Sequence, residues 1–151
     1  MALPDTTIKQ LITSRRIGIE PFDESRVTPA GYDLGSANDI LLEPGEQRLV
    51  ATLEKVGLPT NLLGILHLRS SFAREGLIAS LALVDPGFRG QLTVSLANVG
   101  KKPVTITRGE RFLQLTFLEL TSDAMKPYDG RYQNSFGIVE SKRETSSPVS
   151  K

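Results

Sequence analysis

The sequence has no cysteine and a single histidine, and this composition excludes several kinds of covalent and metal-binding site. Without cysteine there is no disulfide framework, no thiolate nucleophile and no cysteine-ligated zinc. Because His67 is the one histidine, a histidine-rich metal site is excluded, and a Ser-His-Asp triad would have to use that residue. His67 lies between Leu66 and Leu68, a pattern that indicates a solvated or hydrogen-bonded histidine on a strand.

The sequence also lacks a charge imbalance and a long apolar run. Its 18 Lys and Arg residues nearly balance its 17 Asp and Glu residues, so no global field exists to hold a nucleic acid or an anionic membrane. No apolar run approaches the length of a membrane span, and no basic segment followed by an apolar one opens the chain. We therefore expect a cytoplasmic protein with no nucleic-acid or membrane partner, in which any anion site is local.

At 151 residues the chain suits one domain with its own core. Ile8, Leu11 and Ile12 predict a helix over residues 5–16, which Asp5 or Thr6 could cap. Segments rich in Val, Ile, Leu and Thr then predict strands near residues 47–53, 62–68, 77–84, 91–98, 103–107 and 111–119. Many short strands without helical crossovers favour a sandwich, a jelly roll or a small barrel.

The C-terminal part of the chain, residues 121–151, loses this alternation. Residues 142–151 are polar and cannot bury a core, so we expect a flexible tail there. The preceding residues are expected to form an arm or lid rather than a second domain.

A basic, hydroxyl-rich segment comes before a lone carboxylate at a Pro-Gly turn, and this pairing points to phosphate chemistry. Arg69, Ser70 and Ser71 offer a guanidinium fork, two hydroxyl groups and backbone N–H groups, which suit an oxyanion. Asp85 could orient an attacking water. Taken alone, however, Asp85-Pro86-Gly87 is a common turn former, and that interpretation needs no function.

Four motifs, in this order, resemble the nucleotide-binding core of the dUTPase and dCTP deaminase superfamily. They are Ala30-Gly31-Tyr32-Asp33-Leu34, Arg69-Ser70-Ser71, Val84-Asp85-Pro86-Gly87-Phe88-Arg89-Gly90 and Gly109-Glu110-Arg111-Phe112-Leu113-Gln114-Leu115. The likeness covers about residues 8–141. It implies a mainly β fold, a jelly-roll-like distorted β-barrel of the dUTPase-like β-clip type with a short N-terminal helix. It also implies a homotrimer whose active sites combine residues from different subunits.

The resemblance implies roles for the motif residues. Asp85 becomes the catalytic general base or water-orienting residue, and Phe88 takes the place of a tyrosine that stacks on the deoxyribose in dUTPases. Asp33 becomes a structural or supporting residue near the phosphates. Uracil would be bound mostly by backbone groups of the hairpin around residues 79–84 and 93–95, which includes Thr93 and Val94. The residues expected to bind the triphosphate are Arg69, Ser70, Ser71, Arg74 and Gln114.

A fifth motif is incomplete. Arg131 and Phe136, in Arg131-Tyr132-Gln133-Asn134-Ser135-Phe136-Gly137, resemble the dUTPase arginine that meets the γ-phosphate and the aromatic ring that covers the base as a lid. The glycines between the two residues and the small residues after Phe-Gly are absent. Pro127-Tyr128 instead resembles the tail of the deaminase branch, and Tyr128 is therefore included among the expected substrate-binding residues.

Ser95 decides between the two activities of the superfamily. The N-terminal stretch resembles the deaminase branch, whose members deaminate without zinc and use a glutamate in a Thr-Leu-Glu context. Here that place reads Thr93-Val94-Ser95, and a hydroxyl is no general base near neutral pH unless another base activates it. We therefore predict a dUTP pyrophosphatase that forms dUMP and pyrophosphate, with Mg²⁺ held mainly by the phosphates of the substrate. A dCTP deaminase, possibly one with both activities, and a non-catalytic deoxynucleotide-binding regulator stay open.

Overall fold

The computed structural model describes residues 1–144 of the chain. These residues form two short α-helices and three antiparallel sheets. The helices are α1 (Asp5–Thr13) and α2 (Ser70–Arg74), and a 3₁₀ turn spans Glu24–Arg26. The strands are β1 (Gly18–Glu20), β2 (Val27–Thr28), β3 (Gly31–Gly35), β4 (Ile40–Leu42), β5 (Gln47–Gly57), β6 (Leu62–Leu68), β7 (Leu77–Ser80), β8 (Leu83–Val84), β9 (Arg89–Asn98), β10 (Val104–Ile106) and β11 (Arg111–Glu119).

A five-stranded sheet and a four-stranded sheet form the body of the fold. The five-stranded sheet has the order β2-β3-β11-β6-β8, and the four-stranded sheet has the order β1-β5-β9-β7. β4 pairs with β10 as a separate two-stranded ribbon. The mainly β class and the short N-terminal helix are confirmed, and the sheets are jelly-roll-like. They do not close into one barrel, because the ladders of the described strands end at the edges of three separate sheets.

The predicted elements differ from the observed ones mostly at their ends. β6 and β11 have the expected bounds, whereas the expected strand over residues 77–84 is divided into β7 and β8, which belong to different sheets. Helix α1 ends at Thr13 instead of residue 16, because Arg15 adopts a left-handed φ of 59°. Its N-cap position is occupied by Pro4, which has no side-chain hydrogen bond, so neither Asp5 nor Thr6 is the cap.

The core lies between the inner faces of the two larger sheets, and β11 contributes four of the twelve largest fully buried side chains of the described residues. A bulge between Arg111 and Leu113 interrupts the alternation, so Phe112 and Leu113 are both fully buried. The backbone of β3 approaches β11 so closely that a Cβ atom at Gly31 would lie 2.5 Å from the carbonyl oxygen of Leu115. Glycine in the first motif is therefore required by space. None of the described helices is long and apolar enough to cross a membrane.

A buried ion pair connects the two larger sheets. Glu54, in β5, is almost fully buried, and its carboxylate accepts a hydrogen bond of 2.9 Å from the N–H of Gly35, in β3. The guanidinium of Arg26 lies 3.7 Å from the same carboxylate and donates to the carbonyl oxygen of Gly109. Burial raises the pKa of Glu54, and the Gly35 N–H and the Arg26 charge oppose that shift only in part.

We expect the free energy of unfolding of the wild-type protein to fall, relative to that of the Glu54→Gln variant, as the pH rises above the ordinary pKa of a glutamate side chain. A carboxyl group whose pKa is raised by folding contributes its full stability while it is protonated in both states, and loses it as the pH passes its folded pKa. Urea unfolding of both proteins between about pH 4 and pH 7 measures the difference, since the unfolded glutamate titrates near about 4.3. The Glu54→Gln variant is the matched control because its amide does not titrate. A difference in unfolding free energy that stays constant, or grows with pH, would contradict the assignment.

Candidate functional site

An apolar pocket of about 440 Å³ lies between β9, the turn that carries Asp85 and the C-terminal segment, defined here as residues 127–141. Five of the residues expected in the site line this pocket together with Ser95: Asp85, Phe88, Thr93, Val94 and Tyr128. Among the described residues of the lining, Asp85 is the one acidic side chain, and none is basic. The pocket is therefore suited to an uncharged ring, with a single charged group at its edge.

The turn that carries Asp85 is closed by backbone hydrogen bonds. The N–H of Phe88 donates to the carbonyl oxygen of Asp85 at 3.1 Å, and the N–H of Gly87 donates to that of Leu58 at 3.2 Å. Gly87 has a φ of 87°, a conformation that glycine adopts readily. The Asp85 carboxylate is exposed and makes no hydrogen bond or ion pair within the described chain. It is not used as a turn former and is free to bind a water or a ligand.

Phe88 is both a core residue and a wall of the pocket. Its side chain is 7% exposed and makes an edge-to-face contact with Tyr128, with 5.6 Å between the ring centroids. The N–H of Tyr128 donates to the carbonyl oxygen of Pro86 at 2.8 Å, which ties the ring to the same turn. The aromatic wall is thus supported from both sides.

The C-terminal segment is attached to the turn of Asp85 and to the start of β9 by further hydrogen bonds. Gln133 accepts from the N–H of Arg89 at 2.7 Å and donates to the carbonyl oxygen of Gly87 at 2.9 Å. Gly90 and Ser135 form a parallel bridge. The N–H of Val139 donates to the hydroxyl of Thr93 at 3.1 Å. The segment therefore forms one side of the pocket in the single chain.

Gln91 is a residue of the pocket that the sequence analysis missed. Its amide is buried and donates to the carbonyl oxygens of Thr52 and Leu53, while its own oxygen accepts from the N–H of Gly137 at 2.5 Å. It links the bulged part of β5 to the C-terminal segment. Strand alternation puts Gln91 on the same face as Thr93 and Ser95, and that pattern was the available signal.

Arg131 and Phe136 do not face the pocket. The guanidinium of Arg131 donates to the carbonyl oxygen of Lys142 and lies 3.4 Å from the carboxylate of Glu144. Phe136 is 81% exposed. Within this chain, therefore, neither residue of the incomplete fifth motif contacts the space beside Asp85.

The residues expected to bind phosphate form a second group, on the five-stranded sheet. Asp33 is buried, and its carboxylate lies 3.6 Å from the guanidinium of Arg69 and 4.0 Å from that of Arg111. Gln114 pairs with Asp33 across the strands and donates to the hydroxyl of Thr28 at 2.8 Å. We call Arg69, Arg111, Asp33 and Gln114 the basic cluster. Asp33 holds the two arginines side by side and leaves the cluster with one net positive charge.

The serines of the second motif begin a short helix that the sequence analysis did not predict. Helix α2 spans Ser70–Arg74, with Arg69 at its N-cap position and Phe72 buried beneath it. Ser70 and Ser71 are exposed in its first turn, where backbone N–H groups have no partner within the helix. Arg74 ends the helix and is exposed, without an ion pair among the described residues. These groups extend the basic cluster toward solvent.

Strand β6 separates the basic cluster from the pocket. Val84, next to Asp85, pairs with Gly64, whereas Arg69 follows the other end of β6, five residues after Gly64. At about 3.3 Å per residue the two positions are roughly 17 Å apart along the strand. One chain therefore carries two groups of site residues that do not share a cavity. No cluster of three or more His, Cys, Asp or Glu side chains suited to a metal ion occurs in residues 1–144.

Comparisons with known proteins show what this chain is similar to. The model of the family described as dCTP deaminase-like matches residues 35–120. A dCTP deaminase of Pyrococcus horikoshii is 40% identical to the chain, over 95% of this chain and 99% of that protein. A probable deoxyuridine 5′-triphosphate nucleotidohydrolase of Sulfolobus islandicus rod-shaped virus 1 is 36% identical, over 95% of this chain and 100% of that protein.

Two solved structures share the fold. The dUTPase of EIAV superposes with a TM-score of 0.60 and 29% identity, over 76% of this chain and 96% of that chain. A dCTP deaminase of Agrobacterium tumefaciens superposes with a TM-score of 0.67 and 19% identity, over 77% of this chain and 47% of that chain. At that identity the second likeness concerns the fold alone.

Replacing Gln91 by Leu is expected to release the C-terminal segment from the pocket. The N–H of Gly137 and the carbonyl oxygens of Thr52 and Leu53 would lose their partner, at a cost of about 1–3 kcal/mol. Amide hydrogen exchange at Gly137 and Val139 should then become faster. Exchange in β11 should change only as much as the free energy of global unfolding changes. Gln47→Leu is the matched control, because the Gln47 amide donates to the Ser95 hydroxyl and makes no bond to the C-terminal segment. Unchanged exchange at Gly137 in Gln91→Leu would show that Gln91 does not hold the segment.

Proposed function

The chain belongs to the dCTP deaminase-like family of the dUTPase and dCTP deaminase superfamily, and we propose that it is a dUTP pyrophosphatase, which hydrolyses dUTP to dUMP and pyrophosphate. One observation carries the choice of activity. Asp85 is the single acid among the described residues of the pocket lining, and its carboxylate is free of other partners. A free carboxylate at the mouth of an apolar pocket suits activation of a water.

In the proposed reaction, the uracil and deoxyribose occupy the pocket and the phosphates lie beside the exposed turn. Asp85 accepts a hydrogen bond from a water and orients it toward the α-phosphorus, and takes its proton as the new P–O bond forms. The bond from the α-phosphorus to the bridging oxygen breaks, and pyrophosphate leaves. Phe88 supports the sugar, and the backbone of Thr93 and Val94 binds the base. Positioning and charge stabilisation supply most of the catalysis in such reactions.

The surroundings of Ser95 favour hydrolysis over deamination. The Ser95 hydroxyl accepts a hydrogen bond of 2.6 Å from the amide of Gln47, and its cross-strand neighbours are Leu49 and Ser80. None of these side chains is a base that could activate the hydroxyl. The name of the viral relative supports this choice, whereas the names of the relatives from Pyrococcus and Thermococcus support a dCTP deaminase, which is the second candidate.

The separation of the two groups of residues supports a shared site. A nucleotide in the pocket would direct its phosphates past Asp85, yet the basic cluster of the same chain lies at the far end of β6. We therefore propose a homotrimer in which Arg69, Ser70, Ser71, Arg74 and Gln114 of one subunit bind the phosphates of a nucleotide held by another. Arg131 and Phe136 would join the site only after a rearrangement of their segment.

The remaining parts of the proposal concern the arm, the metal and the location. Residues 1–151 form one domain with residues 121–151 as its arm, although residues 145–151 of the expected tail lie outside the described residues. Among the residues that the structure describes, Asp85 alone offers a carboxylate in the pocket, which fits a Mg²⁺ ion that is held mainly by phosphate oxygens. Such an ion would neutralise charge on the leaving pyrophosphate. A cytoplasmic location is part of the same proposal.

Replacing Asp85 by Asn should lower the rate of dUMP and pyrophosphate formation from dUTP by about 10²–10⁴-fold, because the amide keeps the shape but cannot take a proton. Product analysis with Mg²⁺ measures both products. Asp39→Asn is a control, because that carboxylate accepts from the N–H of Arg108 and does not line the pocket. A fully active Asp85→Asn enzyme would exclude Asp85 as the base, and a wild-type protein that binds dUTP without turnover would identify a regulator.

Incubation of the wild-type protein with dCTP should release neither ammonia nor uracil nucleotides. Ser95 has no base to activate it, and the loss of the carboxylate removes a contribution of about 10²–10⁴-fold. The same assay on Ser95→Ala is the control, since it removes the hydroxyl altogether. If dUTP or dUMP forms from dCTP, and more slowly in Ser95→Ala, the hydroxyl replaces the glutamate and the second candidate is correct.

A further inference from the structure

A second cavity, of about 480 Å³, lies behind the turn that carries Asp85 and has no part in the function proposed above. Its walls come from the end of α1, from β1 and from the first residue of β9. Phe88 lines the first pocket, whereas the next residue, Arg89, lines this one. The two cavities therefore lie on different sides of the chain where the turn of Asp85 leads into β9.

Three arginines surround this cavity without a carboxylate partner. Arg15, Arg16 and Arg89 are exposed, and none lies within 4.0 Å of a carboxylate in residues 1–144. The arginines of the described chain without such a partner are Arg15, Arg16, Arg74, Arg89, Arg108 and Arg143. Half of that set thus meets in one cavity. Glu20 is the single acid among the described residues of its lining, so the cavity carries a net charge of +2.

Two glycines are among the residues that line the cavity, Gly18 and Gly57. They face each other across the pairing of β1 and β5. Neither has a positive φ, so neither conformation requires glycine. A Cβ atom on Gly57 would lie 3.7 Å from Cγ of Arg89, so a larger side chain there would occupy space beside that arginine.

The backbone at Arg15 adds a third observation. Its φ of 59° belongs to the left-handed region, where glycine or asparagine usually ends a helix. An arginine at this position places a guanidinium at the rim of the cavity in spite of the unfavourable backbone conformation. The unpaired positive charge and the space beside the two glycines favour a bound anion.

We propose that this cavity is a second anion site, which binds the phosphate groups of pyrophosphate or of a nucleotide polyphosphate. Arginine forks match phosphate oxygens in pairs, and three of them around a polar cavity provide more donors than a single phosphate can use. A ligand with at least two phosphate groups therefore fits better than inorganic phosphate. The site does not depend on the identity of the reaction at Asp85.

The test is calorimetric titration of the full-length protein with inorganic pyrophosphate and, separately, with ATP. The test variant is Arg15→Ala/Arg16→Ala, which leaves the hairpin of Asp85 unchanged. The matched control is Arg108→Ala/Arg143→Ala, which removes the same charge from two unpaired arginines outside the cavity. Arg69→Ala is included because the basic cluster could also bind these ligands, and this variant shows which binding event belongs to it. Thermal unfolding of each variant verifies its fold.

The titration should show one binding event per chain whose dissociation constant rises by about 10-fold or more for each arginine removed. Loss of a charge-assisted hydrogen bond has an effect of this size. The same event should persist in the matched control and in Arg69→Ala, and should weaken with added salt. A loss seen with pyrophosphate alone identifies free pyrophosphate as the ligand, and a loss seen with ATP as well identifies a nucleotide polyphosphate. Equal binding by the wild-type protein and the folded test variant, for both ligands, would overturn the proposal.

Discussion

Two backbone hydrogen bonds hold the turn that carries Asp85, and the rest of the site depends on them. They join Phe88 to Asp85 and Gly87 to Leu58, so the turn needs no help from a side chain. An aspartate in such a turn usually bonds to its own backbone. Here the backbone closes the turn, and the carboxylate is free beside an apolar pocket. The same turn directs Phe88 into the pocket, and its Pro86 carbonyl oxygen accepts from the N–H of Tyr128, which holds the C-terminal segment against it.

The choice between two reactions depends on how many acidic groups reach that pocket. Hydrolysis at a phosphorus requires one group that orients a water, together with positive charge around the phosphates. Deamination of a base requires proton transfer beside the ring, at a position where β9 carries Ser95. The Ser95 hydroxyl is bonded to Gln47 and has no neighbouring base. In the proposed site, backbone and aromatic contacts bind the base and the sugar, so the single strand position of Ser95 can decide between the two reactions.

Strand β6 keeps the two groups of residues apart within one chain. It has the turn of Asp85 beside one end and Arg69 at the other. The ladders that pair β6 with β8 and with β11 fix these positions. In the proposed homotrimer, the two groups come together from different chains.

The class of fold, the positions of most long strands and several residues of the pocket could be predicted from the amino-acid order. The class and the strands follow from local rules, since strand alternation and turn composition need no knowledge of distant contacts. The pocket residues follow from the resemblance of the ordered motifs to those of a known superfamily. The short strands β1, β3 and β4 could not be predicted, because they pair with β5, β11 and β10, which lie far away in the chain. Three facts required the folded chain: the Asp85 carboxylate is free, Arg69 and Asp85 are far apart, and three unpaired arginines line one cavity with two glycines. Each of them depends on which strands pair and in which register, and a register is set by packing across the whole domain.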